Sequence, residues 1–203
     1  EKILDANINF PKNLITRLSI GNLKIINFSS YMQLIDKEFQ NLYSSSKEIF
    51  LDYLKNSDLD YANIYLFDTF GANDKRNKVV DVFIRRILDC QAIIIPKNKI
   101  NINLSHSLDI NTSITQLIKK FKSGSYSGNY IVKSKDTISI EKLAYTLMEI
   151  IGKKVDIKKE NQMIDYLSKV NNSFTNIFFT ENDLSLEDKL RLRIDEIRRT
   201  KNL

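Results

Sequence analysis

Short apolar runs alternate along the chain with longer segments in which apolar residues recur every three or four positions. The runs at 23–28, 61–67 and 130–133 are rich in β-branched and aromatic residues, which predicts buried strands. Helical spacing is found in the segments 43–54, 79–88, 109–122 and 139–151. Alternation of strands with helices of this length favours βαβ units and a parallel sheet, so the fold class is predicted to be α/β.

The two ends of the chain also carry helical patterns. Residues 3–18 are predicted to form a helix, and Pro11 inside it either kinks the helix or marks its first turn. Ser185 provides a cap for a terminal helix. Residues 33–42 are predicted to be a short polar loop. A shift in composition after Gly71 predicts that a sheet domain gives way there to a smaller lobe that closes over a ligand.

Composition excludes several classes of function. The 203 residues are 42% hydrophobic and 28% charged, which is typical of a globular protein, and no apolar run approaches the ~20 residues of a membrane span. The single cysteine excludes an internal disulfide, and together with a first segment that lacks a signal-peptide pattern it predicts a cytoplasmic location. The single histidine, His106, has no cysteine cluster beside it, so no metal site is expected.

The formal net charge of +6 permits binding to nucleic acid. The basic residues are spread along the chain instead of clustered, and the densest stretch, 191–201, also contains acidic residues. We therefore expect no nucleic-acid partner. Attraction to small anionic substrates explains the positive charge equally well.

The candidate chemistry begins at the end of the first predicted strand. Ser30 follows that strand, and Tyr43 and Lys47 lie four residues apart at the start of the next helix, so they share a helix face. If the helix lies beside the strand, the three side chains converge at the strand's carboxyl end, where open α/β sheets bind ligands. A lysine ammonium lowers the pKa of a neighbouring tyrosine toward neutrality, which suits proton transfer to a carbinol or ketone. With 9 tyrosines in the chain, one such Tyr-x-x-x-Lys spacing is expected by chance, so the preceding strand and serine carry the inference.

Six motifs in a fixed order resemble those of the extended short-chain dehydrogenase/reductases, the nucleotide-sugar epimerase/dehydratase group. The resemblance runs from residue 3 to about residue 157. The motifs are Asp5-Ala-Asn7, Ser29-Ser30, Tyr43-x-x-x-Lys47, Phe67-Asp-Thr-Phe-Gly71, Ile102-Asn-Leu-Ser-His106 and Ile138-Ser-Ile-Glu-Lys-Leu143. The resemblance implies a Rossmann-like doubly wound parallel sheet. Residues 1–71 would be the later part of its cofactor domain, and residues 72–203 mainly a substrate-binding lobe, with some segments returning to the sheet.

The resemblance also implies roles for individual residues. The catalytic residues would be Ser30, Tyr43 and Lys47, with Asn7 supporting a proton relay. The cofactor, NAD or NADP, would be bound by Phe28, Tyr43, Lys47, Leu66 and Thr69. The nucleotide-sugar substrate would be bound by Ser30, Asp68, Lys78 and Val79. Because family members commonly dimerise through the two helices flanking the core strands, a homodimer is expected.

Departures from the family pattern narrow these expectations. None of the five glycines forms the Gly-rich turn that holds a cofactor pyrophosphate, so the chain resembles a fragment without the first cofactor-binding units, inactive by itself. Tyr31 and Met32 stand where sugar dehydratases carry an acidic pair, which argues against dehydration. The short stretch from Ser30 to Tyr43 is similar to 4-keto-sugar reductases such as the CDP-abequose and CDP-paratose synthases. The predicted reaction is therefore reduction of a 4-keto sugar, with a 4-epimerase or a non-catalytic relative as the alternatives.

Overall fold

The structure is a computed structural model that describes residues 1–18, 23–72, 74, 76–123, 128–171, 176–180 and 184–200. The chain forms two compact units. The first unit consists of residues 1–67, 113–133 and 168–179, and the second of residues 68–112, 134–167 and 180–203. The division along the chain therefore falls just before residue 68, and two later segments belong with the first unit. Gly21 and Asn22, whose residue types predict the end of the first helix, lie outside the described residues.

The described helices and strands alternate along most of the chain. The helices are α1 (Lys2–Leu4), α2 (Phe10–Leu18), α3 (Leu42–Lys55), α4 (Val79–Leu88), α5 (Ser107–Ser123), α6 (Ile140–Ile151) and α7 (Leu186–Thr200). The strands are β1 (Lys24–Ser30), β2 (Asp60–Leu66), β3 (Asp68–Phe70), β4 (Ile93–Ile95), β5 (Asn101–Ile102), β6 (Leu104–His106), β7 (Gly128–Lys133), β8 (Ile138–Ser139), β9 (Ile157–Lys159) and β10 (Ile177–Phe179). Among these described residues, no helix is both long and apolar enough to cross a membrane.

The first unit is built on a four-stranded parallel sheet with the strand order β1-β2-β7-β10. The register pairs Ser30 with Leu66 and Leu66 with Val132, so the carboxyl ends of three strands lie side by side. Apolar residues of β2 and β7 pack against Leu117 and Phe121 of α5. The predicted α/β class with a parallel sheet is confirmed.

A row of asparagines crosses the same sheet. Asn27, Asn63 and Asn129 occupy matching positions on β1, β2 and β7. Asn63 Oδ1 accepts hydrogen bonds from Asn27 Nδ2 and Ser29 Oγ, both at 2.7 Å, and Asn63 Nδ2 donates to Asn129 Oδ1 at 3.1 Å. Because Asn63 is fully buried, these bonds supply the partners that its amide group requires.

The helix at the start of the chain contains a π-helical segment, Asp5–Asn9, between α1 and α2. Phe10 N–H donates to Asp5 O, five residues earlier, directly before Pro11. Proline has no N–H to donate to the carbonyl four residues earlier and its ring crowds that carbonyl, so the wider turn admits Pro11 without ending the helix. Pro11 therefore lies in a helix that continues past it, with a local π-helical widening directly before the proline.

The second unit has an apolar core between α4, α6 and α7. Its strands form three two-stranded ladders, two of them parallel and one, between β5 and β8, antiparallel. Ser139 Oγ accepts a hydrogen bond from Lys142 N and begins α6, and Gly152 ends it in the left-handed conformation with φ 75°. Within this core Arg193 of α7 forms a bidentate ion pair with Asp81 of α4, and both side chains are buried.

Candidate active site

Ser30 is the last residue of β1 and the cap of a short 3-10 turn, Tyr31–Gln33. Its Oγ accepts a hydrogen bond from Met32 N at 3.3 Å, and its own N–H donates to Gln33 Oε1 at 3.0 Å. These reciprocal bonds form a capping box, which fixes the turn and with it the serine backbone. A serine hydroxyl has one donor and two acceptor sites, so the proton of Ser30 Oγ can still be donated to a ligand oxygen.

Tyr43 and Lys47 lie at the start of α3. Asn41 caps this helix through a second reciprocal pair of bonds with Ser44, which places Tyr43 in the first turn. Lys47 follows one turn later, and its Nζ lies 5.4 Å from the centre of the Tyr43 ring. Tyr43 is 41% exposed, and the lysine charge lies beside its ring.

Lys47 also joins α3 to the end of β1. Its Nζ donates a hydrogen bond to Phe28 O at 2.7 Å, and Phe28 lies two residues before Ser30. Burial lowers the pKa of the Lys47 ammonium. The structure thus holds the lysine between the tyrosine of the helix and the carboxyl end of the strand that carries the serine.

Asn7, the fourth predicted catalytic residue, contacts the same stretch of α3. Asn7 Nδ2 donates to Ser46 Oγ at 2.9 Å, and Ser46 Oγ donates to Tyr43 O at 2.8 Å. The π-helical segment Asp5–Asn9 carries Asn7, so Asn7 reaches the helix between Tyr43 and Lys47. Its part in a proton relay stays a prediction.

The predicted cofactor residues of the first unit lie at the strand ends. Phe28 is 43% exposed on β1, and Leu66 is half-buried at the end of β2, where it is paired with Ser30. Nearby, the ring of Tyr31 stacks on that of Phe67, with the centroids 4.9 Å apart. Tyr31, which stands where a dehydratase has an acid, is therefore a packing residue here.

The remaining predicted ligand residues belong to the second unit. Lys78 Nζ donates to Thr69 O at 2.8 Å and also to Thr69 Oγ1, and burial lowers the pKa of this ammonium. Asp68 Oδ2 accepts from Asn103 N at 3.3 Å. Val79 is half-buried as the first residue of α4. Asp68, Thr69 and Lys78 thus have protein partners within their own unit.

A cavity of about 1070 Å³ lies in the second unit, and none of the predicted site residues lines it. Its charged lining is balanced between three lysines and three acidic residues, namely Lys135, Lys142, Lys189, Asp109, Asp136 and Glu187. His106 also lines it, with Nδ1 accepting from Leu108 N, and Lys189 pairs with Asp109 at 2.8 Å. The balanced charge gives no preference for an anionic ligand. Across the described residues, no group of three or more His, Cys, Asp or Glu side chains is placed to hold a metal ion.

Two polar residues beside Ser30 were not predicted. Gln33 belongs to the predicted polar loop but is only 8% exposed, and Leu34 and Ile35 beside it are buried as well. The prediction of a short polar loop over residues 33–42 is therefore wrong at its start, because the first three residues of the segment are buried within the first unit. Glu48 accepts a hydrogen bond from Gln33 Nε2 at 2.8 Å. The spacing Ser30-x-x-Gln33, which is a capping-box pattern, was the available signal for Gln33.

No protein-family model matches this sequence, and no curated protein matches it significantly. Solved structures do match. A UDP-N-acetylglucosamine 4-epimerase from Methanobrevibacter ruminantium superimposes with a TM-score of 0.74 at 19% identity over 97% of this chain and 70% of its own. The chain has the fold of the nucleotide-sugar 4-epimerases. The resemblance predicted from the sequence is thus confirmed at the level of the Rossmann-like fold.

Two further epimerases show the same fold. The UDP-glucose 4-epimerase of Thermotoga maritima, solved with UDP-glucose, matches with a TM-score of 0.73 and 18% identity over 98% of this chain and 71% of its own. The UDP-glucuronic acid 4-epimerase of Bacillus cereus, solved with UDP-glucuronic acid and NAD, matches with a TM-score of 0.75 and 15% identity over 96% of this chain and 68% of its own. About a third of each epimerase chain has no counterpart in these 203 residues.

Proposed function

We propose that this chain carries the catalytic residues of an NAD(P)-dependent enzyme that acts on a nucleotide-diphosphate sugar. The observation that carries the proposal is the placement of Lys47, which lies 5.4 Å from the Tyr43 ring and donates to Phe28 O near Ser30. A tyrosine, a lysine and a serine at one strand end can exchange a proton with a sugar oxygen. The shared fold with epimerases solved with UDP-sugars and NAD supports this assignment.

Each side chain has a role that follows from its chemistry. Tyr43 donates a proton to the carbonyl oxygen of the sugar when that carbonyl is reduced, and removes it in the reverse direction. Ser30 donates a hydrogen bond to the same oxygen as its charge changes. The Lys47 ammonium stabilises the phenolate form of Tyr43. A nicotinamide cofactor held beside Lys47 would supply or accept the hydride at the sugar carbon.

The residues of the first unit fit the nicotinamide end of such a cofactor. An ammonium has three donor hydrogens, and the described contact of Lys47 with Phe28 O uses one of them, which leaves donors for the hydroxyls of a ribose. The aligned carboxyl ends of β1 and β2, at Ser30 and Leu66, would lie beside the nicotinamide end of the cofactor. The five glycines provide no Gly-rich turn for the pyrophosphate, so we expect the 203 residues by themselves to bind dinucleotide weakly.

In the second unit, Asp68, Lys78 and Val79 are proposed to contact the nucleotide sugar. Lys78 is a half-buried cation whose described partners, Thr69 and Asp74, leave it able to attract a phosphate. The nearby Arg76 guanidinium is bound to Asp74 at 2.8 and 2.9 Å, so we propose Lys78 as the phosphate ligand.

Epimerisation at the sugar C4 carbon is the first candidate reaction, because three solved proteins that share this fold are 4-epimerases. Reduction of a 4-keto sugar is the second candidate, and the short stretch from Ser30 to Tyr43 supports it. The two reactions differ in their net consumption of cofactor. An epimerase removes a hydride and returns it to the opposite face with no net use of cofactor, whereas a reductase consumes one NAD(P)H and one proton for each sugar reduced.

Replacing Tyr43 by phenylalanine tests the proposal, since it removes the proton that is transferred. In the natural full-length polypeptide, incubated with UDP-glucose, UDP-N-acetylglucosamine or UDP-glucuronic acid and cofactor, Y43F should lower kcat by about 100-fold or more, the usual contribution of a general acid–base group. Cofactor affinity should stay largely intact. The products are followed by proton NMR, and NAD(P)H consumption by absorbance.

Tyr145→Phe is the matched control, because Tyr145 is an exposed tyrosine of the second unit that is given no part in the chemistry. Undiminished turnover in Y43F would refute the assignment of Tyr43. Failure of the full-length polypeptide to bind either cofactor would favour a non-catalytic relative. A cytoplasmic location and a homodimer formed through the two helices flanking the core strands, α3 among them, stay predictions.

A further inference from the structure

We propose that Gln33 and Glu48 are positioning residues that lock the Ser30 turn onto the helix that carries Tyr43 and Lys47. This inference rests on the proposed function for its catalytic meaning, but the contacts on which it is built are independent of any ligand. The two residues lie 15 positions apart in the sequence and meet only in the folded first unit.

The first contact fixes the backbone of Ser30. Gln33 Oε1 accepts the Ser30 N–H at 3.0 Å, while the Ser30 side chain accepts the N–H of Met32. Ser30 ends an outer strand of the described sheet, and β2 is its neighbour on the inner side. Within the described residues, the Gln33 side chain is the acceptor of the Ser30 N–H at this end of the outer strand.

The second contact fixes Gln33. Its Nε2 donates to Glu48 Oε2 at 2.8 Å, a bond to a charged acceptor, which is about twice as strong as a neutral one. The two contacts require opposite ends of one amide group, so each specifies the orientation that the other needs. Gln33 is 8% exposed, and loss of either partner would leave a buried polar atom unpaired.

The third contact places this chain of bonds on the catalytic helix. Glu48 directly follows Lys47 on α3, and its other oxygen, Oε1, pairs with Lys55 Nζ at 3.3 Å. A path of hydrogen bonds thus runs from the Ser30 backbone through Gln33 to the residue beside Lys47. We name this path the Gln33–Glu48 brace.

A brace of this kind matters because proton transfer and substrate orientation depend on small distances. Misplacement of a catalytic group by about 1 Å can cost roughly 100-fold in rate. Lys47 ties α3 to Phe28 of the strand, and the brace ties the same helix to the turn after it. Together the two connections set the position of Ser30 relative to Tyr43.

Swapping the amide of residue 33 and the carboxylate of residue 48 between the two positions provides a direct test. In Q33E, two carboxylates face each other, so the bond to residue 48 is lost and repulsion turns the side chain of residue 33 away from Glu48, which also draws the acceptor away from the Ser30 N–H. In Q33E/E48Q, the carboxylate introduced at position 33 still accepts the Ser30 N–H, and the amide introduced at position 48 donates to that carboxylate, so the same connections form with the groups reversed. We expect Q33E to speed hydrogen exchange of the Ser30 amide by about 10-fold or more, as for a lost buried hydrogen bond, and the double variant to return it to within about 3-fold of wild type.

Exchange is measured by NMR on the purified chain, which needs no ligand. Glu38→Gln changes the charge at an exposed glutamate and should leave the Ser30 amide unaffected. Lys55→Met removes the other partner of Glu48 and separates that ion pair from the brace. Unchanged exchange in Q33E, or a double variant as fast as Q33E, would overturn the brace.

The catalytic meaning is tested by turnover in the natural full-length polypeptide. Q33E should lower kcat by about 100-fold with KM changed less than about 3-fold, and Q33E/E48Q should recover most of that loss, because orientation and not ground-state binding is affected. Full kcat in Q33E would refute the positioning role. If the wild-type polypeptide shows no turnover at all, the proposed function fails, and the exchange measurement still decides whether the brace exists.

Discussion

The two units of the chain both bury polar side chains, but they bury different kinds. In the second unit an arginine and an aspartate, Arg193 and Asp81, form a charged bidentate pair inside an apolar core, and Lys189 and Asp109 form a second buried ion pair. In the first unit the described buried polar side chains are neutral amides and hydroxyls, and some of them form a row across the parallel sheet centred on Asn63. The second unit thus buries charged pairs among its polar groups, whereas the first buries neutral groups.

The difference shows what each polar set can specify. The ion pair joins α4 to α7 and determines how two helices of an otherwise apolar core meet. The asparagine row fixes strand register, because a shift of one residue would turn every amide to the other face of the sheet. Register decides where Ser30, Leu66 and Val132 lie relative to one another. The polar interior of the first unit therefore contributes directly to the geometry of the strand ends at which the candidate site is built.

The largest expected loss of stability follows from removing the ion pair of the second unit. Arg193→Met leaves Asp81 charged and buried without its partner, which should lower the free energy of unfolding by about 3–5 kcal/mol. Replacing both residues, as D81L/R193M, also removes the unpaired Asp81 charge and should recover most of the lost free energy of unfolding. Urea unfolding of the purified chain measures both.

Arg191→Met is the control, since Arg191 lies on the same helix and is exposed. It should change stability by well under ~1 kcal/mol. If R193M and R191M cost the same, the ion pair would not be the organising contact between α4 and α7.

A smaller effect is expected in the first unit. Asn63→Ala removes the hydrogen bonds that Asn63 makes with the Asn27 amide, the Ser29 hydroxyl and the side-chain oxygen of Asn129. This loss should lower the free energy of unfolding by about 1–3 kcal/mol. Hydrogen exchange along β1, β2 and β7 should show the loss locally. The exposed amide of Asn56 belongs to the same unit, and Asn56→Ala is the control. An equal and uniform effect of the two substitutions would mean that the row does not fix the register.

The smallest effect concerns acid stability of the second unit. Hydrogen bonds from the Arg76 guanidinium lower the pKa of Asp74 to about 2. A carboxyl whose folded pKa is depressed stabilises the fold above its ordinary pKa and loses that contribution as the pH falls from about 4 to about 2. Because Arg76 is largely exposed, the contribution should be below ~1 kcal/mol.

Asp74→Asn should therefore destabilise the chain slightly at pH 5 and make little difference at pH 2, as measured by urea unfolding at both values. Asp58→Asn, at an exposed aspartate of the first unit, provides the comparison. A stability difference for D74N that grows toward low pH would contradict the assigned ion pair.

The candidate site divides into a part that local sequence could indicate and a part that it could not. A strand ending in two serines and a Tyr-x-x-x-Lys pair are local patterns, and the structure places Lys47 within hydrogen-bond distance of Phe28 O. Glu48 has no such signal, because its partner Gln33 lies in a segment that looks like a polar loop. The burial of Gln33 depends on packing between distant parts of the unit, which a local pattern does not contain.

The amino-acid sequence by itself determined the helices and the strands β1, β2 and β7, because apolar spacing acts within a few residues. Helix α4 spans residues 79–88 as predicted, and α6 (Ile140–Ile151) lies within the predicted segment 139–151. Only the tertiary structure decided the strand order β1-β2-β7-β10, the return of residues 113–133 and 168–179 to the first unit, and the Gln33–Glu48 brace. These features join residues far apart in the chain, and their free energy comes from burial and hydrogen bonds that exist only once the sheet has formed.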